Sequence, residues 1–166
     1  MYEDVVLAKT QIYNYAGLAV SKYHQQKESE DYHACSYQLN EYKLISRKAK
    51  ITPTKTGQFV TLWKRLGDGL IAPIDQSAEV DIVVIAARNG KQGGQFVFPK
   101  KVLVQNGIFS SDSRAGKRGF RVYPPWDKPN SKQAKDTQSW QSLYFLFLDE
   151  SEPLDLSRAK LLYGLK

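Results

Sequence analysis

Cysteine and histidine are scarce: one cysteine, Cys35, and two histidines, His24 and His33, in 166 residues. A lone cysteine forms no internal disulfide, and three such ligands cannot build a zinc cluster. Long apolar runs are missing as well. No stretch approaches the ~20 residues that a membrane helix needs. The start "MYEDVVLAK" lacks the basic, then apolar, opening of a signal peptide. A soluble cytoplasmic protein without a membrane partner is therefore expected. There is no G-x-x-x-x-G-K-[ST], no G-x-G-x-x-G and no G-x-S-x-G, so the common phosphate loops and the nucleophile elbow are absent. No repeat, linker or low-complexity segment divides the chain, and residues 1–166 read as one domain.

Acidic residues are also rare where basic ones are dense. Lys43 to Lys135 contains 18 Lys and Arg against six Asp and Glu, a balance of +12. The remainder has six against 11, or −5, which together give the net charge of +7. A domain with a basic middle attracts polyanions, and nucleic acid is the commonest large one in a cytoplasm. The densest stretch, "RKAKITPTKTGQFVTLWKR" (Arg47 to Arg65), holds six basic side chains and no acid, yet alternates like a packed strand.

Patterning predicts an α+β domain around a mixed sheet flanked by helices. "EDVVLAKTQIYNYAG" has helical spacing and stops at Gly17. "YHACSYQL" and "YKLISR" read as strands joined tightly at Asn40-Glu41. "GQFVTLWK" reads as one strand with Phe59, Thr61 and Trp63 on one face. "GDGLIAPID" reads as turn. "EVDIVVIAAR" is nearly continuous β-branched sequence, expected for a central strand covered on both faces. "NGKQGG" reads as a hairpin loop and "QFVF" as the return. Pro99 opens a short helix that Gly107 ends. "GFRVYPP" gives another strand. "SKQAKDTQSWQSLYFLFL" is expected to be a single helix, with Trp140, Leu143, Tyr144 and Phe147 along one side. "LSRAKLLY" closes the chain as a helix before Gly164.

The basic segments carry the strongest chemical indication. Lys48, Lys50, Lys55, Lys64, Arg65, Lys100, Lys101, Lys117, Arg118, Arg121, Lys132 and Lys135 lie beside aromatic rings and hydroxyls, in "RKAKITPTKTG", "PKK", "GKRGFRVYPPW" and "SKQAK". Lysines supply charge, hydroxyls and loop amides donate to phosphate oxygens, and arginine pairs with phosphate bidentately. Trp63, Tyr123 and Trp126 are expected to be core residues. Cys35 and His33 alternate onto one strand face, and ordinary packing is the expected reason. Asp81 stands near the start of "VDIVVI", where an unpaired buried carboxylate would be costly. Nucleases of the restriction type place an aspartate there and an acid-x-lysine on the next strand, which together hold Mg²⁺. Here the second slot reads Gln95-x-Val97, and Lys100 follows later. A strand-end Asp81 bonded to backbone or lysine is the favoured reading. No metal ligand set is assigned, although Glu28, Glu30 or Asp75 could add a carboxylate.

Four ordered motifs, "AKITPTKTGQFVTLWKR", "GQFVFPK", "GKRGFRVYPPW" and "KQAKDTQSWQ", resemble the MepB-like family of small bacterial proteins, over about Glu28 to Leu148. The resemblance implies a fold similar to type II restriction endonucleases and a nucleic-acid-binding activity. The absence of Glu-x-Lys at Gln95-x-Val97 argues against efficient cleavage. The leading expectation is a binder of the phosphate backbone through a basic groove, with DNA preferred to RNA, no cofactor required, and a homodimer allowed. The alternatives are an Mg²⁺-dependent nuclease using Asp81, Gln95 and Lys100, and a regulatory module that meets an acidic protein partner. An enzyme acting on a small phosphorylated metabolite has least support.

Overall fold

The run Ile82–Ala87 has no polar face to offer water, so both of its faces must be covered. The computed structural model, which describes residues 1–165, does this with a strand at the middle of a six-stranded sheet. In chain order the elements are α1 (Glu3–Ala8), continued by a π-helical turn (Lys9–Tyr13), β1 (Val20–Gln25), β2 (Cys35–Leu39), β3 (Tyr42–Lys48), β4 (Lys50–Ile51), β5 (Gln58–Thr61), β6 (Trp63–Arg65) and β7 (Ile71–Pro73). There follow β8 (Ile82–Asn89), β9 (Gln92–Pro99), α2 (Lys100–Gln105), β10 (Gly119–Val122), α3 (Lys132–Ser142), β11 (Phe145–Phe147) and α4 (Leu156–Leu162).

The main sheet runs β1-β2-β3-β8-β9-β11. Only β3 and β8 pair in parallel, with Leu44 opposite Ile82 and Arg47 opposite Ile85; the other neighbours are antiparallel. The fold is thus α+β with a mixed sheet, as the patterning predicts. Alternation sorts the sheet's side chains into two cores. Leu44, Ile82, Val84 and Val97 join Val5, Ile12, Tyr13 and Ala159 under the terminal helices. Val83, Ile85, Phe96 and Phe98 join Leu103, Val60, Phe120 and Val122 on the other side.

That second cover is a small sheet, β10-β5-β4, beside a two-stranded ribbon of β6 and β7. The chain reaches it without a loop: β3 ends at Lys48, Ala49 is buried with its N–H on the Ala86 carbonyl, and β4 begins at Lys50. The stretch expected to be one strand, 57–64, breaks at Leu62 into β5 and β6 in different sheets. Its packed residues are Gln58, Val60 and Leu62, so Phe59, Thr61 and Trp63 face outward.

Three further differences from the sequence reading have physical reasons. The helix expected through Leu148 ends at Ser142, and Phe145–Phe147 pairs with β9 instead. Three phenylalanines, Phe96, Phe98 and Phe145, gain ring packing there (Phe96–Phe145 centroids 4.8 Å apart) that a longer helix would forfeit. The expected hairpin loop shrinks to a turn at Gly90, φ +61°, while Gln92 to Gly94 extend β9. Strand β1 carries no clear alternation, and only its pairing with β2 reveals it.

One buried side chain joins α3 to the edge of the small sheet. Gln141 is 0% exposed; its Oε1 accepts from the Tyr123 N–H (2.8 Å) and its Nε2 donates to the Arg121 carbonyl (2.9 Å). The amide does for β10 what a neighbouring strand would do. Replacing it by an apolar residue leaves a donor and an acceptor unpaired in the interior. Gln141→Leu should therefore lose about 1–3 kcal/mol of stability in urea unfolding, even though it adds apolar surface.

Candidate nucleic-acid interface

The outward face of the small sheet combines cations with flat rings. Register places Lys50 opposite Phe59 and Phe59 opposite Arg121, so one row crosses three strands with alternating charge and aromatic character. The next row pairs Thr61 with Gly119. Glycine leaves room there: an added Cβ would meet the tip of the Phe59 ring at 2.7 Å and the Val60 carbonyl oxygen at 3.0 Å. Tyr32 stands edge-on to Phe59 (6.3 Å), and the Lys50 ammonium sits 4.6 Å from the Tyr32 ring centre. Arg121 is braced by Thr52 Oγ1 (2.7 Å) and by the Thr56 and Gly57 carbonyls. The groove continues past Thr61 to Trp63, flanked by Lys117 and Arg118.

Not every candidate cation is free. Lys48 meets Glu3 at 3.6 Å, Lys50 meets Asp31 at 3.7 Å, and Lys132 meets Asp136 at 3.2 Å. Lys64 is paired with Asp75, and Arg65 Nε donates to Glu28 at 2.7 Å while its guanidinium lies 5.3 Å from the Trp63 ring centre. Lys100 Nζ donates to the Ala78 carbonyl (3.0 Å). Among the described residues, the side chains of Lys55, Lys101, Lys117, Arg118 and Lys135 make no hydrogen bond or ion pair. Surface pairs in high dielectric hold weakly, so phosphate can compete for Lys48 or Lys50. Asp75 is different, because Lys64, the Ser77 hydroxyl and the Ser77 N–H hold its carboxyl down to about 2.

The three residues that a restriction-type centre would require do not converge. Asp81 is exposed at the foot of β8; its Oδ2 accepts from the Lys43 N–H at 2.8 Å, and its own N–H donates to the Lys43 carbonyl. It clamps β3 to β8 at their shared start. Lys100 begins α2, with its N–H on the Asp81 carbonyl. Gln95 lies five residues along the ladder, opposite Ala86, a separation of roughly 16 Å at strand rise. It also points to the other face, under the helices. There it is 2% exposed and accepts from Tyr163 in a chain that runs through Tyr13 (3.0 Å) to Tyr37 (2.8 Å). No group of three His, Cys, Asp or Glu residues that could hold a metal occurs among the described residues.

His33 and Cys35 likewise separate. His33 precedes β2 in a left-handed conformation, stacked on Tyr2 with Nδ1 2.5 Å from Asp4. Cys35 is buried in the helix-covered core, and burial pushes its thiol up to about 11, away from the thiolate a nucleophile needs. Of the aromatics expected in the core, Trp126 packs edge-on to Phe145 (5.8 Å), whereas Trp63 lines the open groove.

Sequence reasoning passed over Arg47. It is 3% exposed, and its guanidinium donates to the Ser46 carbonyl (2.9 Å) and Gln26 Oε1 (3.2 Å). Among the described residues it has no carboxylate partner, and burial brings its pKa down to about 10. An arginine in an apolar-alternating strand was legible as unusual, but its burial was not.

The fold and this face define a small α+β protein with a cationic, aromatic sheet surface. The family model described as MepB-like matches residues 26–147, and the chain belongs to the MepB-like family. A solved crystal structure of MepB is similar at 35% identity with a TM-score of 0.77, the match covering 92% of this chain and 99% of that one. No curated protein matches.

The Lys64–Asp75 pair gives the site a defined acid response. A carboxyl whose folded pKa lies below its unfolded value of about 4 contributes stability above pH 4 and loses it as pH falls toward 2. Asp75→Asn should unfold at lower denaturant than the parent at pH 5, and the difference should shrink as pH falls through 2 and vanish below it.

Proposed function

We propose that this protein binds nucleic acid along the outward face of its small sheet, holding the phosphate backbone with cations and stacking bases on half-buried rings. The observation that carries this reading is the cross-strand row of Lys50, Phe59 and Arg121, continued by Thr61, Trp63, Lys117 and Arg118 along an open groove. A cationic sheet face with rings on it suits single strands best, since every base has a face to stack. Gly119 leaves room for the Phe59 ring beside it on this face. The wider scaffold reading draws support from the mixed sheet with its parallel central pair and helices on both sides. Binding without cleavage is favoured because Asp81 is engaged with β3 and Gln95 serves the tyrosine chain. A cytoplasmic location, with the polymer as partner, follows from the same reading.

Fluorescence anisotropy of labelled single-stranded DNA, duplex DNA and RNA over a salt series tests it. Affinity should fall steeply with salt, with a slope of roughly −0.7 to −0.9 per phosphate neutralised. The double variant Lys117→Ala/Arg118→Ala should weaken binding to all sequences and reduce that slope by about two, with unfolding unchanged. Phe59→Ala should weaken single-strand binding without changing the slope, by about 1–3 kcal/mol if a base stacks there. Absence of binding at low salt to any of the three polymers would overturn the proposal.

A further inference from the structure

Beside the groove lies a cavity of about 500 Å³ whose wall includes Arg47, Gln26, His24, Trp63, Lys64 and Arg65. This volume is within the range of small-molecule sites, about 300–1,000 Å³. Trp63 lines both the cavity and the groove, so the two lie on either side of one residue.

Arg47 is the unusual member. A buried guanidinium normally sits against a carboxylate, because removing an unpaired charge from water is costly. Here its two acceptors are a backbone carbonyl and the neutral amide of Gln26, which use two of five N–H groups. The Nε–H has no partner at all among the described residues. The formal charge around the cavity is likewise uncompensated. Lys27, Arg47, Lys64 and Arg65 supply four positive charges against Glu28 and the Asp75 bound to Lys64, leaving +2 with His24 neutral.

We infer that the cavity around Arg47 is a binding site for a phosphate monoester, the dianionic end of a nucleic-acid strand or a small phosphorylated molecule. A phosphomonoester carries close to two negative charges at neutral pH and three acceptor oxygens, which matches the residual +2. The terminal N–H groups of Arg47 that bond neither Ser46 nor Gln26 are the donors it would take. Lys64 and Arg65, each about half-exposed, stand at the mouth, where Arg65 can exchange the surface carboxylate of Glu28 for phosphate. Trp63 offers a ring to the group attached to the phosphate. A diester in mid-strand carries one charge and is flanked by sugar on both sides, so it fits the cavity less well than an end. This inference rests on the nucleic-acid reading for the identity of what is attached to the phosphate, and not for the phosphate itself.

Two measurements on the whole chain test it. Short single-stranded DNA labelled at the 3′ end is compared with a 5′-phosphate and with a 5′-hydroxyl, and inorganic phosphate is titrated in a thermal-unfolding assay. The expected results are about tenfold tighter binding of the phosphorylated strand, from added charge-assisted hydrogen bonds, and a Tm that rises with phosphate concentration. Arg47→Met should abolish both effects while unfolding at the same or higher denaturant concentration, since an apolar residue of similar length removes a buried charge. Arg65→Gln, at the surface, should reduce both effects and tests the site even if the methionine variant fails to fold. A phosphate-dependent Tm that Arg47→Met removes, with equal affinity for the two strands, supports the site and assigns it to small phosphorylated molecules. Equal affinity with no phosphate effect on Tm overturns the inference and leaves groove binding standing. Failure of both strands to bind overturns the nucleic-acid reading instead, and the phosphate titration then decides the cavity alone.

Discussion

The requirement that β8 be buried on both faces organises the molecule. A strand that reads Ile-Val-Val-Ile-Ala-Ala cannot serve as one half of a two-layer fold, because its second face would stay wet. The chain answers with a middle sheet and two covers made differently. Terminal helices, drawn from opposite ends of the sequence, cover one side. The other is covered partly by α2 and partly by a second sheet, which β3 enters simply by continuing through Ala49 into β4. A helical cover presents a convex polar surface. A sheet cover presents a second, flatter face, and this is the face that carries Lys50, Phe59 and Arg121.

Much of this architecture was legible from periodicity, and the places where it was not share a cause. The central strand, the Pro99 helix, strand β10 and the closing helix follow from patterns that are local. The division of residues 57–64 between two sheets does not, because alternation tells which side chains share a face and not which neighbour the backbone finds. It also cannot tell which face is inward. Phe59 and Trp63 look like the packed face and Gln58 like the wet one, yet Gln58 is the buried residue, its Nε2 donating to the Arg88 carbonyl. Helix α3 was over-extended for a related reason: the aromatic run after Ser142 satisfies helical spacing and strand pairing equally, and only the open edge of β9 decides between them.

Buried polar groups separate the structural from the functional candidates. Gln141 and Gln95 both lie out of water and bond within the fold, one closing a sheet edge and the other accepting at the end of a chain of tyrosine hydroxyls. Gln141 has both ends of its amide engaged by the fold, and the Gln95 oxygen is taken up by Tyr163. Gln95 thus occupies the position of a catalytic acid in sequence while serving as an internal anchor in space. Arg47 is the opposite case. Its environment lacks the carboxylate that would account for its burial, and its neighbours add positive charge where a structural site would add negative.

The basic residues that stand out in the sequence therefore resolve into two populations. Lys64 and Arg65 are tied to Asp75 and Glu28, carboxylates from outside the stripe, and the charge count of that segment overstates what a polyanion would meet. Lys117 and Arg118, from a different segment, have no side-chain partner among the described residues and adjoin the same groove. Net charge steers a polyanion toward this side of the molecule, but contact depends on which cations lack a partner at the surface. On the proposed reading, that distinction puts the expected salt dependence in the 117–121 segment and gives the Arg47 cavity, charged and half-open, to an end rather than a track. A track needs cations that can yield to successive phosphates, whereas an end needs a few that are held in place.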